Sequence, residues 1–226
     1  MLATGYTLLA LALLARAGRV RCLRRWAVGA VCGSLGELLI AESGVLVWEY
    51  PGWRSYFVFP PTALALMWGL WSALLCELPG PRDLVLGAAA DATQATLLAA
   101  SIEPVAVRQG WWSYSRFAYH DLAWRGLPAV LDQKGPRGPP IPCSVFVAYW
   151  VAFACLNGCG QYWERALEKD CHAVDRGTLA WAARTLGTGL PLGVVGFLAY
   201  VACAARLGDA AGLAALLVAV LALRRV

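Results

Sequence analysis

Residues 84–103 read Leu84-Val-Leu-Gly-Ala-Ala-Ala-Asp91-Ala-Thr-Gln-Ala-Thr-Leu-Leu-Ala-Ala-Ser-Ile-Glu103, and only Asp91 and Glu103 in this run carry a charge. A helix needs about 20 mostly apolar residues to cross the hydrocarbon of a bilayer. The run therefore predicts a membrane-spanning helix. Because a carboxylate at membrane depth is costly, an acid inside such a helix indicates a functional site by default.

The rest of the chain has the composition of a membrane protein. Of its 226 residues, 60% are hydrophobic and only 15% are charged, and the mean hydropathy is +0.59. Soluble domains contain about 25% charged residues. The net charge of +5 does not indicate a nucleic-acid partner, because the Lys and Arg residues cluster in short connections as topology determinants do.

The apolar pattern predicts an all-α polytopic bundle that forms one domain over residues 1–226. Seven spans are expected, at 2–16, 26–48, 57–77, 84–103, 141–163, 178–205 and 208–223. No basic residue precedes the apolar core of the first run, so a span is favoured there over a cleaved signal peptide. The connection 104–140 is either an aromatic belt followed by a proline-stiffened loop, or a lid over a cavity within the membrane.

Basic residues predict the orientation of the bundle. With the N-terminus outside, eleven of the 19 Lys and Arg residues lie in inner connections and seven in outer ones. This bias favours an outside N-terminus and a cytoplasmic C-terminus.

Glu37, Asp91 and Glu103 are the candidate catalytic acids. A carboxylic acid that apolar surroundings keep neutral can act as a proton donor. Glu103 precedes Pro104, so it is expected to end its helix at a membrane interface. Asp91 lies about 18 Å away along an ideal helix. For each acid, the alternative is a structural hydrogen bond or ion pair between helices.

Two GxxxG patterns predict helix packing faces. Gly29 and Gly33 form one in the second span, and Gly189 and Gly193 form another in the sixth. The only histidines are His120 and His172, and the eight cysteines contain no CxxC pair. Neither a catalytic metal nor another cofactor is therefore predicted.

Three short motifs follow one another in the chain. The first reads Glu42-Ser-Gly-Val-Leu-Val-Trp48-Glu-Tyr50. Glu37 precedes this motif in the chain, and Pro60-Pro61 and Trp68 follow it. The second reads Ile102-Glu103-Pro104-Val-Ala-Val-Arg108-Gln-Gly110-Trp111-Trp112-Ser-Tyr114. The third reads Ile141-Pro142-Cys-Ser144-Val-Phe146-Val-Ala-Tyr-Trp150. Over roughly residues 30–155 this order resembles the membrane carotenoid hydratases, which include the lycopene and bisanhydrobacterioruberin hydratases.

The resemblance implies that water is added across the terminal double bond of an acyclic carotenoid. Glu37 and Glu103 match the family's acids. The candidate substrate-binding residues are Trp48, Tyr50, Trp68, Arg108, Trp111, Trp112 and Tyr114. The chain departs from the family's pattern at two positions that bear on the hydration step: the family has Asp where this chain has Ala99, and Asn where it has Val145.

The leading hypothesis is an integral membrane isoprenoid hydratase that acts on a lipid-soluble substrate among membrane lipids. One alternative is a membrane terpene cyclase, in which a second double bond captures the same cation. Another is a small transporter or assembly factor without enzymatic activity. The sequence leaves the lipid and the oligomeric state open.

Overall fold

The computed structural model describes residues 12, 20–43, 46–49, 62–75, 78, 81, 83–110, 112–117, 141, 143–168 and 174–223. These residues form six helices and one small sheet. The helices are α1 (Val20–Ser43), α2 (Thr62–Leu75), α3 (Leu84–Arg108), α4 (Cys143–Glu168), α5 (Val174–Leu207) and α6 (Asp209–Leu223). The strands are β1 (Leu46–Glu49) and β2 (Ser113–Phe117). The predicted helical bundle is therefore observed, with a two-stranded sheet that the sequence did not predict.

Three of these helices are long and apolar enough to cross a membrane. They contain the segments Leu84–Val107, Ser144–Ala166 and Thr178–Leu207, and they indicate that the protein is associated with a membrane. The prediction of seven spans is not met by the described part of the chain. The predicted span 2–16 lies outside the described residues except for residue 12, and α2 and α6 have only 14 and 15 residues.

The predicted second span, 26–48, has different ends in the structure. Helix α1 begins earlier, at Val20, and stops at Ser43. Residues 46–49 leave the helix and form β1, which pairs antiparallel with β2. Val47 and Trp48 within this strand are residue types that favour extended structure, so the apolar run continues although the helix does not.

The expectation that Glu103 ends its helix is wrong. Helix α3 begins after the N-cap Asp83, whose carboxylate accepts a 2.8 Å bond from the Leu86 amide, and continues through Pro104 to Arg108. Proline weakens a helix because it lacks an N–H group. Here both Glu103 and Pro104 are fully buried. Tertiary contacts therefore hold the helix past the proline and place Glu103 inside the protein.

The glycines of α1 allow close packing against α2, as the first GxxxG pattern predicts. A Cβ atom at Gly33 would collide with the ring of Trp68, and one at Gly29 would collide with the Ser72 side chain. Close backbone approach of this kind is what small residues provide between membrane helices. The chain then places α3 against α4, α4 against α5, and α5 against both α1 and α6.

Helices α5 and α6 form the tight hairpin that the short connection between them allows. Gly208 has a φ of 86°, a left-handed conformation that suits glycine at a helix C-terminus, and its amide donates to the Ala204 carbonyl at 2.7 Å. A Cβ at Gly212 would lie 2.8 Å from the Tyr200 ring, so the last helix packs directly on the one before it.

Candidate functional site

Glu103 is held by three aromatic donors in the interior of the bundle. The indole N–H of Trp112 donates to its Oε2 at 2.9 Å, and the Tyr114 hydroxyl donates to the same oxygen at 2.7 Å. The Tyr149 hydroxyl donates to Oε1 at 3.0 Å. With 2% of its surface exposed, this carboxyl group is fixed in position by three neutral groups on two separate parts of the chain, the segment after α3 and helix α4.

The turn after α3 brings two of those donors back to the acid. Gly110 has a φ of 69°, which lets the chain reverse at the helix end. Trp112 and Tyr114 are two residues apart, so in an extended chain their side chains point to the same face. The start of the 104–140 connection therefore packs onto the bundle through Glu103. Residues 118–140 lie outside the described part, so the predicted lid stays a prediction.

Glu37 is the second buried acid of this region. Its Oε1 accepts a 2.6 Å hydrogen bond from the indole N–H of Trp68, and 8% of its surface is exposed. The Trp68 ring stacks on Tyr149 and on Phe153, with ring centroids 5.0 Å apart in each pair. Because Tyr149 also donates to Glu103, the stacked Trp68 and Tyr149 rings form a continuous line of contacts from Glu37 to Glu103.

Glu37 and Glu103 line one cavity between α1, α4 and α5. The cavity holds about 890 Å³ of empty space, including the space at its open side. Its walls are mostly apolar, and its lining residues are Cys32, Gly33, Gly36, Glu37, Ile40, Trp68, Glu103, Trp112, Tyr114, Val145, Ala148, Tyr149, Ala152, Leu156, Gly189, Leu190, Gly193, Val194 and Phe197.

Asp91 does not line this cavity. It is buried on the other half of α3, where its Oδ2 accepts from the Asn157 amide at 3.2 Å and from the Gln161 amide at 3.1 Å. These bonds tie α3 to α4, which is the structural alternative considered for each acid.

A buried ion pair lies close to Asp91. Arg25 donates to both carboxylate oxygens of Glu164, at 3.2 and 3.0 Å, and Arg21 joins the same carboxylate from the surface. Arg25 also donates to the Asn157 carbonyl at 3.4 Å. Its guanidinium carbon lies 5.7 Å from the centroid of the Trp181 ring. Arg21 and Arg25 thus fasten α1 to α4, and Arg25 also links α1 to α5 through Trp181.

The structure places only part of the predicted substrate-binding set. Trp68, Trp112 and Tyr114 line the cavity. Tyr50 and Trp111 lie outside the described residues, as do the side chains of Trp48 and Arg108. His120 and His172 are also outside them.

Tyr149 and Phe153 are site residues that sequence reasoning did not single out. Both lie on the buried face of α4, and Tyr149 falls within the third family-like motif. The signal that could have found Tyr149 is its hydroxyl, since a buried tyrosine in an apolar helix needs a hydrogen-bond partner.

The fold and site define a helical protein of the membrane-associated class with an apolar cavity that contains two buried carboxyl groups. The chain matches no protein-family model, no curated protein and no solved structure. The resemblance to the membrane carotenoid hydratases therefore stays a prediction. Chemically, the arrangement presents carboxyl groups and aromatic ring faces to whatever apolar molecule enters the cavity.

Proposed function

We propose that this chain is an integral membrane enzyme that protonates a carbon–carbon double bond of an acyclic isoprenoid lipid. The observation that supports this function is that Glu37 and Glu103 line the same mostly apolar cavity. An alkene offers no polar group for recognition, so its enzyme must supply an apolar pocket and a positioned acid. A carboxyl group of such a pocket can supply that acid.

The first step would transfer a proton from the carboxyl group to the less substituted alkene carbon. The O–H bond breaks, the π electrons form the new C–H bond, and a tertiary carbocation remains beside a carboxylate. Ring faces attract cations. Trp68, Trp112, Tyr114, Tyr149 and Phe197 supply aromatic rings to the cavity wall.

The second step decides between hydration and cyclisation. In hydration, the lone pair of a water forms the C–O bond, and the carboxylate takes back a proton to leave a tertiary alcohol. In cyclisation, the π electrons of a second double bond of the same lipid attack the cation. Loss of a proton to the carboxylate then gives a ring of unchanged formula.

Val145 is the observation that favours keeping cyclisation as a second candidate. It lines the cavity at the position where the carotenoid hydratases are expected to have Asn. An apolar side chain there offers no hydrogen bond that would orient a water. Hydration remains the leading proposal because of the resemblance to the carotenoid hydratases. The membrane orientation that we propose has the N-terminus outside and the C-terminus in the cytoplasm.

Product analysis in heavy water tests this function. Membranes that contain the protein would receive acyclic carotenoids or polyprenyl precursors, beside the variants Glu37→Gln and Glu103→Gln. A product that gains deuterium and a hydroxyl group supports hydration, and one that gains deuterium with an otherwise unchanged formula supports cyclisation. Asp91→Asn is the matched control, because Asp91 is a buried acid of α3 outside the cavity. Full activity in both glutamine variants would refute the proposal.

A further inference from the structure

The lining of the cavity extends along three helices. Its lining runs from Cys32 to Ile40 on α1, from Val145 to Leu156 on α4, and from Gly189 to Phe197 on α5. At 1.5 Å of rise per residue, these stretches measure roughly 12–17 Å. The space is thus long enough for an extended chain.

Glu103 lies toward one end of this space, whereas Glu37 lies between the two ends of the α1 lining, next to Gly36, which faces Leu190. Gly189 approaches Leu156 while Gly193 approaches Ala152, so α4 and α5 run antiparallel. Tyr149, which holds Glu103, lies nearly two helical turns from Leu156 along α4. Leu156, Cys32 and Gly189 therefore form the end of the cavity that is remote from Glu103.

The charge of the lining restricts the occupant. Among the described residues, the lining includes two carboxyl groups and no Lys, Arg or His side chain. A phosphate or diphosphate headgroup would find no cation in this lining to pair with. The occupant that fits is an uncharged lipid without a headgroup.

At two of the glycines that line the cavity, an added Cβ would fit without a clash. An added Cβ at Gly36 would meet only Leu190, at 3.9 Å, and one at Gly193 would meet Ala152 and Cys155 at 3.8 and 3.9 Å. At Gly189 the added atom would press on the Leu156 backbone at 3.3 Å. Gly36 and Gly193 can thus carry a side chain, and that side chain would occupy the cavity.

We infer that the cavity binds the tail of an acyclic, uncharged isoprenoid, with the tail between α1, α4 and α5 and its terminal double bond at Glu37 and Glu103. Gly36 and Gly193 act as specificity-determining residues, since the absence of a side chain at both positions keeps the tail's path open. The direction in which the lipid lies depends on the proposed function, whereas the occupation of the cavity does not.

Binding of lycopene to the purified full chain in nanodiscs tests this inference without requiring turnover. The polyene quenches tryptophan emission by energy transfer, and the chain has 11 tryptophans. Squalene should compete with lycopene, and geranylgeranyl diphosphate should not. Gly36→Leu and Gly193→Leu should each weaken lycopene binding by about tenfold or more, which corresponds to about 1.4 kcal/mol. Gly187→Leu is the control, because a Cβ added at this α5 glycine would meet nothing within 4 Å and Gly187 does not line the cavity.

The outcomes separate this inference from the proposed function. Three results would overturn the inference even if the wild type turned over a lipid. They are lycopene binding that Gly193→Leu leaves unchanged, the absence of saturable lycopene binding, and equal competition by geranylgeranyl diphosphate. Binding that the two leucine variants weaken would uphold it even if no product formed. If a leucine variant fails to fold, the alanine variant at the same position replaces it, with a smaller loss expected in the same direction.

Discussion

Tyr149 donates a 3.0 Å hydrogen bond to Glu103 across 46 positions of sequence, and the same ring stacks on Trp68, whose indole donates to Glu37. One tyrosine of α4 therefore touches the acid of α3 directly and the acid of α1 through one neighbour. This arrangement makes Tyr149 a positioning residue for the proposed chemistry.

Replacing Tyr149 by Phe should lower turnover by about tenfold or more while the protein still folds. The change removes the hydroxyl that fixes Glu103 Oε1 but keeps the stacked ring. Leaving a buried acceptor with one partner fewer costs about 1–3 kcal/mol. Turnover and thermal unfolding would be measured together, with Tyr162→Phe as the control because that ring is 51% exposed. Equal turnover in both variants would contradict the role of Tyr149.

Replacing Trp68 by Phe should reduce turnover through Glu37. The smaller ring retains aromatic contact with Tyr149 and Phe153 but cannot donate the 2.6 Å bond to the carboxyl group. We expect the pH profile of turnover to shift in this variant. Trp163→Phe is the control, since its indole donates to Thr188 and not to a cavity acid. A pH profile identical to that of the wild type would argue against a proton-donating role for Glu37.

Replacing Gly33 by Ala should destabilise the protein by about 1–3 kcal/mol, the usual cost of overpacking a close contact. The new methyl group would collide with the Trp68 ring, whereas Gly187→Ala places one in open space. Unfolding of both variants in detergent gives the comparison. Similar midpoints would show that α1 and α2 do not pack as closely as described.

Replacing Asp91 by Asn should affect stability more than turnover. The variant loses a carboxylate that accepts from Asn157 and Gln161, so the α3–α4 contact weakens. Because Asp91 does not line the cavity, turnover per folded molecule should remain within about twofold of the wild type, a barrier change of less than about 0.5 kcal/mol. If Asp91→Asn instead lost as much turnover as Glu103→Gln, Asp91 would again be a candidate catalytic acid.

Replacing Arg25 by Met should destabilise the bundle by roughly 3 kcal/mol, because the change leaves the partly buried Glu164 without its main partner. The Arg25 side chain is 5% exposed in this pair, while that of Arg21 is 59% exposed. Arg21→Met should therefore cost less than about 1 kcal/mol. Chemical denaturation of both variants measures the difference. Equal losses of stability in Arg25→Met and Arg21→Met would show that the burial of the arginine does not decide its contribution.

Local signals predicted several features well. The helical character of residues 84–103, 141–163 and 178–205 follows from length and hydropathy, and the structure has helices long enough to span a membrane in all three places. The close contact of Gly29 and Gly33 with a neighbouring helix was predicted from their spacing. These features depend on residues near one another in sequence, so their physics can be derived without the fold.

The errors came from interactions between distant residues. Pro104 does not stop α3, because the buried contacts of Glu103 and its neighbours outweigh the local preference. Residues 46–49 leave the helix because β2 supplies them with a partner strand.

The sequence by itself determined that acidic residues lie within long apolar segments, since composition and period are properties of each segment. Only the tertiary structure decided which acids share a cavity. Glu37 and Glu103 meet there because α1, α3, α4 and α5 all contribute residues to the lining of the same space, whereas Asp91 accepts hydrogen bonds from Asn157 and Gln161. The spacing of residues along the chain does not specify which helix faces pack together, and it is this packing that assigns each carboxyl group to the cavity or to a structural contact.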